Sequence, residues 1–497
     1  MARVRTTHFS SLLSLLGVAR LTVAGLAVAG LAVAGCGDGI DERTEPLAPE
    51  QAATTSTTEP ASVDLPTFEF DELDVAIDST KADYSGARSA LHLSDGTWLV
   101  SGYDNHSTFV QPEPGAVWRG DELTDFERIG DDISDEDGQQ VISSLLELAS
   151  GRIMAVGINF SRDDPTSEFF LYDADVWLSD DQGGTFRKVS LRLDAAVAGA
   201  LVIEGTIYAY GYQFGEGDEA EAAGQIWRSD DEGETWNDLD PMVRPTPGAA
   251  PIPLGTIERL LHWDGSLIAV GLTSTTDPDG DDYPFDRLTF SSPTQQWEPI
   301  DVGLWYSDDL GSTWHASAPE GLSAQPNAQV VSDATIVGDQ LVIVGSASEV
   351  SLTPFDFDPG DFDPGDFNTE EFDVEDFDLD DFEFEDLSML PTIWTCDYLL
   401  QRCDALSLET EASGFVSGMV VERDGFALVA FSAFSDTSAA GEQLVAFHPL
   451  TGEFEAVELP RSFAQTSAIV LDGDRLVLFG RHARLDELDV LVTAVGD

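Results

Sequence analysis

Seven copies of one short apolar strand, each entered through a glycine-containing turn, recur along the 497-residue chain, and they constrain its fold more than any other feature. They read DGTWLVSG (95–102), SGRIMAVG (150–157), EGTIYAYG (204–211), DGSLIAVG (264–271), GDQLVIVG (338–345), DGFALVAF (424–431) and GDRLVLFG (473–480). A shorter apolar strand precedes each, as in SALHL, SSLLEL and RLLHW, so each copy is the second arm of an antiparallel hairpin. Tandem copies of one supersecondary unit argue against dividing the length into independent domains of about 150 residues. The unit is an all-β one.

A second hairpin follows each of the first six copies, and three of these share Ser-x-Asp-x-Gly-x-Thr-Trp/Phe. The residues are Ser179, Asp181, Gly183, Thr185 and Phe186; Ser229, Asp231, Gly233, Thr235 and Trp236; and Ser307, Asp309, Gly311, Thr313 and Trp314. The pattern is that of a stabilised turn: an Asp carboxylate accepts backbone N–H bonds across the loop, Gly takes positive φ, and the hydroxyls close the remaining polar groups. Trp177, Trp227 and Trp305 stand two residues before each Ser. Degenerate versions begin at Val117 (VWRGDELTDF), Ile393 (IWTCDYLLQRC) and Ala446 (AFHPLTGEF).

These three hairpins resemble the Asp box, or bacterial neuraminidase repeat, of sialidase-like β-propellers. Four strands per unit and seven units then imply an all-β, seven-bladed β-propeller over residues 66–497, with six blades as the alternative. After GDRLVLFG only one strand, about 487–495, remains. An open sheet edge is costly, and the apolar-acidic alternation FEFDELDVAI (68–77) is suited to supply the missing strand from the N-terminal side. The resemblance also implies that the Asp-box turns lie opposite the binding face, which is built by the loops joining strands two to three and four to one. The two-to-three loops vary most: 103–115, 273–301 and about 346–391.

The last contains an acidic insertion, 350–390, in which Phe357, Phe362, Phe367, Phe372, Phe377 and Phe382 recur every five residues, each flanked by acids. A period of five forms no single stripe on a helix or a strand, and repulsion among about sixteen carboxylates favours disorder, or order only with cations. Calcium is the cation that oxygen-rich loops of this kind take. Asp277, Asp279 and Asp281 alternate as Ca²⁺ ligands do, although the later Gly and Glu of an EF-hand are missing. No resident cofactor is required by any motif.

Composition bounds the partners. With 93 Asp and Glu against 23 Lys and Arg, the formal net charge is −70. That field repels nucleic acid and anionic lipid, so the expected ligands are neutral, cationic or metallic. Arg3 and Arg5 followed by LTVAGLAVAGLAVAG (21–35) read as an export signal too short to span a bilayer. Its end, Val33-Ala34-Gly35-Cys36, resembles the lipobox of bacterial lipoproteins, which implies lipid attachment at Cys36 and an outer-leaflet location. Residues 36–65, rich in Thr, Ser, Pro and Glu, form a tether. The other cysteines, Cys396 and Cys403, stand where the Ser and the aromatic stand in the intact motif, both pairs being seven apart. In an oxidising compartment they are expected to form a disulfide across the hairpin, with two free buried thiols as the alternative.

Chemistry is harder to place. The sialidase resemblance implies three converging arginines and a Tyr nucleophile assisted by Glu. Arg88 and Arg259 lie just before first strands, in ARSALHL and ERLLHW, but a third partner, whether Arg244, Arg461 or another, is not singled out. His92 and His262 occupy similar first-strand positions and read as packing residues. The expected role is a lipid-anchored, extracytoplasmic binding or scaffold propeller, monomeric, recognising a protein, glycan or cation through its loop face. Alternatives are a sialidase-like or other glycoside hydrolase, and an assembly factor for a membrane complex.

Overall fold

The computed structural model describes most of residues 68–494, chiefly strands and the tight turns between them. Outside the described residues lie 1–67, 495–497, most of 131–138, a few shorter stretches, and the connections 78–84, 105–114, 162–170, 215–221, 240–254, 275–299, 323–328, 349–388, 409–415, 434–441 and 483–487. The tether, Cys36, Asp277, Asp279, Asp281, Arg244, Arg461 and the acidic repeat therefore all fall outside them. Among the described residues no helix is long and apolar enough to cross a membrane.

The strands pair into seven sheets, antiparallel but for one short parallel pair in the first, here called blades and numbered by the chain order of their first strands. Blade 1 begins with Ser85–His92, blade 2 with Gln139–Glu147, blade 3 with Ala195–Ile203, blade 4 with Gly255–Trp263, blade 5 with Gln329–Val337, blade 6 with Val416–Arg423 and blade 7 with Phe463–Asp472. Each first strand touches the first strand of the next blade, and that of blade 7 touches that of blade 1, so the sheets close a ring around an axis lined by first strands. Seven separate apolar clusters sit between neighbouring blades, one per junction, and together they form the core. A β-propeller results.

Each third strand from blade 1 to blade 5 sends an indole into the junction with the preceding blade. Trp118, Trp177, Trp227, Trp305 and Trp394 stand at equivalent positions, and all five are buried. One residue type placed once per repeat thus supplies the largest side chain of five junctions, each removing apolar surface from water.

The glycine that ends the repeated strand has a steric cause. In blades 1 to 5 and 7 the first strand carries a β-bulge directly after the residue paired with that glycine. At Gly157, Gly211, Gly271 and Gly345 an added Cβ would overlap the carbonyl oxygen of Val141, Ala196, Thr256 and Val330 respectively. Blade 6 has Phe431 at this position, and its first strand runs without a bulge. There the small residue has moved to the partner strand: Gly418 pairs with Phe431, and a Cβ added to it would stand 3.2 Å from the Phe431 ring. Bulge and glycine come and go together.

The ring is closed from the N-terminal side. Asp71–Leu73 adds as the outer strand of blade 7, pairing antiparallel with Leu488–Ala494. The segment then crosses to blade 1, where Ala76–Ile77 pairs in parallel with Asp125–Ile129. Sequence alternation predicted one strand for one blade; the segment instead splits between two. Phe68 and Phe70 pack on the cluster between blades 6 and 7, and Leu73 and Val75 on that between blades 7 and 1, so ten residues fasten three blades.

Candidate functional site

First strands begin at the face that carries the two-to-three and four-to-one connections, so residues near their starts stand at the mouth of the axial channel. The bulges there turn extra side chains toward the axis. In blade 4 the bulge lies between Ile257 and Arg259, which brings Glu258 and Arg259 to the channel side by side, each partly open to solvent and crowded by protein.

Arg259 is the centre of a chain that crosses four blades. Its guanidinium lies against the buried phenol of Tyr210 in blade 3, and its Nε lies 3.3 Å from an oxygen of Asp333 in blade 5. The other Asp333 oxygen accepts the backbone N–H of Val420 in blade 6 at 3.1 Å. Asp333 raises the pKa of Arg259, so the guanidinium stays charged throughout the accessible pH range. Burial pushes the Tyr210 phenol up. Gly199 leaves the room that this hydroxyl occupies, since a Cβ there would overlap it. A phenol that is hard to ionise is a poor nucleophile, so Tyr210 acts here as a polar neighbour that positions Arg259.

Glu258 differs from its neighbour. Burial pushes its carboxyl up, and the Thr256 hydroxyl donates to it at 2.6 Å, which opposes that shift only in part. Such a group holds a proton more tightly than a solvated Glu and can donate a hydrogen bond to a ligand at the channel mouth. Blade 2 carries a second buried polar set near the same face. Gln140 donates to Asn159 at 3.2 Å, and Asp175 lies 3.5 Å from Lys188. Burial outweighs Ser190, Lys188 and Asn159 in setting the Asp175 carboxyl above its ordinary range.

The residues singled out by sequence fall in two places. Arg88 is the unpaired residue of the blade 1 bulge, and Arg259 directly follows the blade 4 bulge and pairs with Val270, so both lie within strands rather than before them. His92 packs between blades 1 and 7, stacked on Trp98 at 4.5 Å with its Nδ1 2.7 Å from Asp472. His262 does not share that role, since it is exposed. The three Ser-x-Asp-x-Gly-x-Thr turns lie at the opposite face, between third and fourth strands. In each, the Asp accepts the Ser hydroxyl, the Thr N–H and the Thr hydroxyl, while the Ser oxygen accepts the Gly N–H. Gly183, Gly233 and Gly311 have φ of 90°, 86° and 92°.

The residue before each of these glycines is also left-handed, and its carbonyl is claimed by the preceding blade. Arg119 donates to Gln182 at 3.2 Å, Arg152 to Glu232 at 3.1 Å and Tyr208 to Leu310 at 3.4 Å. Blade 5 keeps the contact between blades by other means: Cys396 and Cys403 are disulfide-bonded across the hairpin, Leu400 is left-handed at the place of the glycine, and its carbonyl accepts Ser317 of blade 4 at 2.8 Å. Among the described residues no three His, Cys, Asp or Glu side chains converge as a metal set.

No family model and no curated protein sequence matches the chain. Among solved structures it is similar to a protein of unknown function from Dyadobacter fermentans, at 11% identity and a TM-score of 0.44, covering 86% of this chain and 99% of that one. It is also similar to an alpha-L-arabinofuranosidase from Fusarium graminearum (11% identity, TM-score 0.40, 86% and 96% covered) and to an alpha-L-arabinanase from Penicillium chrysogenum complexed with arabinobiose (13%, 0.41, 86% and 99%). Likenesses this remote carry nothing about activity, and the fold rests on the chain's own strand pairing.

Proposed function

We propose that the protein is a lipid-anchored, extracytoplasmic binding propeller that presents the channel-mouth face to a neutral or cationic ligand, either a glycan or a protein. The observation that carries this reading is the Tyr210–Arg259–Asp333–Val420 chain. It spends the charged groups at the mouth on holding blades 3 to 6 in register, which makes a rigid rim for the variable connections. The net charge of −70 disfavours anionic ligands, and the Cys36 tether would hold the propeller at the membrane surface. Calcium is proposed for the loop of Asp277, Asp279 and Asp281, and a rise in melting temperature at millimolar Ca²⁺ is the result expected.

A second reading, glycoside hydrolase, is favoured by one observation: Glu258 keeps its proton more readily than an ordinary Glu, as a general acid must. Neutral oligosaccharides incubated with the full-length protein separate the two. Saturable binding without cleavage supports the binding role. Cleavage that Glu258→Gln abolishes, with the melting temperature unchanged, establishes the hydrolase instead.

A further inference from the structure

The junction between blades 7 and 1 lacks a part that four of its counterparts possess. At the junctions from blade 1 to blade 5, the carbonyl of a left-handed residue in the third-to-fourth turn reaches back and is held by the preceding blade. Blade 1's own turn is only Leu123-Thr124, because Glu122 pairs directly with Asp125. It cannot fill the same place against blade 7.

Arg475 marks what is missing. It opens the second strand of blade 7, at the place that Arg152 holds just before that of blade 2, in GDRLVLFG and SGRIMAVG. The Arg152 side chain is 15% exposed, paired with Asp180 of its own blade at 2.7 Å and bonded as well to the Glu232 carbonyl and, at 2.8 Å, to Glu234 of the next blade. The Arg475 side chain is 49% exposed and pairs with Asp472 of its own blade. Beside it lies a crevice of about 390 Å³, lined by Asp71, His92, Trp98, Asp121 and Glu122 among others. One wall is fixed, since His92 is held between Trp98 and Asp472.

We propose that this crevice is a socket for a tight backbone turn of a partner protein that carries a basic side chain. A turn carbonyl meets Arg475 as the Glu232 carbonyl meets Arg152, and the basic side chain reaches Asp71, Asp121 and Glu122. The backbone acceptor selects a turn, and the carboxylates select its charge. The socket lies on the face opposite the channel mouth, so it is independent of the role proposed for that mouth.

The test is calorimetric titration of the full-length protein with a disulfide-closed peptide holding an Asn-Gly turn and one arginine. Its comparators are the same ring with citrulline for arginine, and the linear form. The ring is expected to bind at least about tenfold more tightly than either comparator. Asp121→Asn with Glu122→Gln should weaken it by about tenfold, while the charge-matched pair Asp308→Asn with Asp339→Asn should not. Replacing Leu123-Thr124 by the longer turn of blade 2 should block binding; its melting temperature reports folding. Equal binding by both double variants, equal binding of ring and linear peptide, or no binding of the ring would overturn the proposal.

Discussion

Blades 3 and 5 both end in a third-to-fourth hairpin, secured by different chemistry and bent differently: Glu232 and Gly233 are both left-handed in one, Leu400 alone in the other. In blade 3 the bend is held by Asp231, which collects Ser229 and Thr235, and in blade 5 by the bond between Cys396 and Cys403. What both keep is the buried tryptophan facing the previous blade and a left-handed residue whose carbonyl that blade holds: Trp227 and Glu232 in one, Trp394 and Leu400 in the other. The propeller therefore demands the inter-blade contact and leaves open how the bend is secured.

If that is so, the shared parts should be the sensitive ones. Trp227→Ala and Trp394→Ala should each cost about 3–5 kcal/mol in denaturant unfolding. A large cost in one blade and a small one in the other would break the equivalence. Reducing the disulfide, or Cys396→Ser with Cys403→Ser, should cost about 2 kcal/mol, seen as a lower melting temperature. That loss should be absent when the same reductant meets the double variant.

Acid should act on the other hairpins. Hydrogen bonds from Thr185, Thr235 and Thr313 and from the Ser hydroxyls hold Asp181, Asp231 and Asp309 below the usual carboxylate range. A lowered pKa in the folded state contributes stability above the unfolded value and loses it as pH falls through the folded one. Melting temperature should thus fall below about pH 4, and less steeply when all three are Asn. The disulfide hairpin should be indifferent to that change. The smallest effect is expected for Tyr208→Phe, which removes only the hydrogen bond to the Leu310 carbonyl, about 0.5–1 kcal/mol by chemical denaturation.

Much of this was legible in the residues. Seven repeats and the turn motif carried the blades, and the spacing of Cys396 and Cys403 carried the disulfide, because both are local patterns. The alternation at 68–77 located the closing strand, but its division between blades 7 and 1 depends on where two distant sheets meet. The bulges were missed, although a signal existed: the one unit ending in Phe431 instead of Gly is the one without a bulge. Tyr210, Arg259 and Asp333 share no motif and come from three repeats, so only the ring brings them together.

The central claim is a ring locked by residues 68–77. Comparing the thermal unfolding of chains beginning at residue 66 and at residue 78 tests it most directly. The account predicts one cooperative transition for the first, and for the second a melting temperature lower by many degrees with blades 7 and 1 losing hydrogen-exchange protection first. Identical melting and identical protection of those two blades would contradict it.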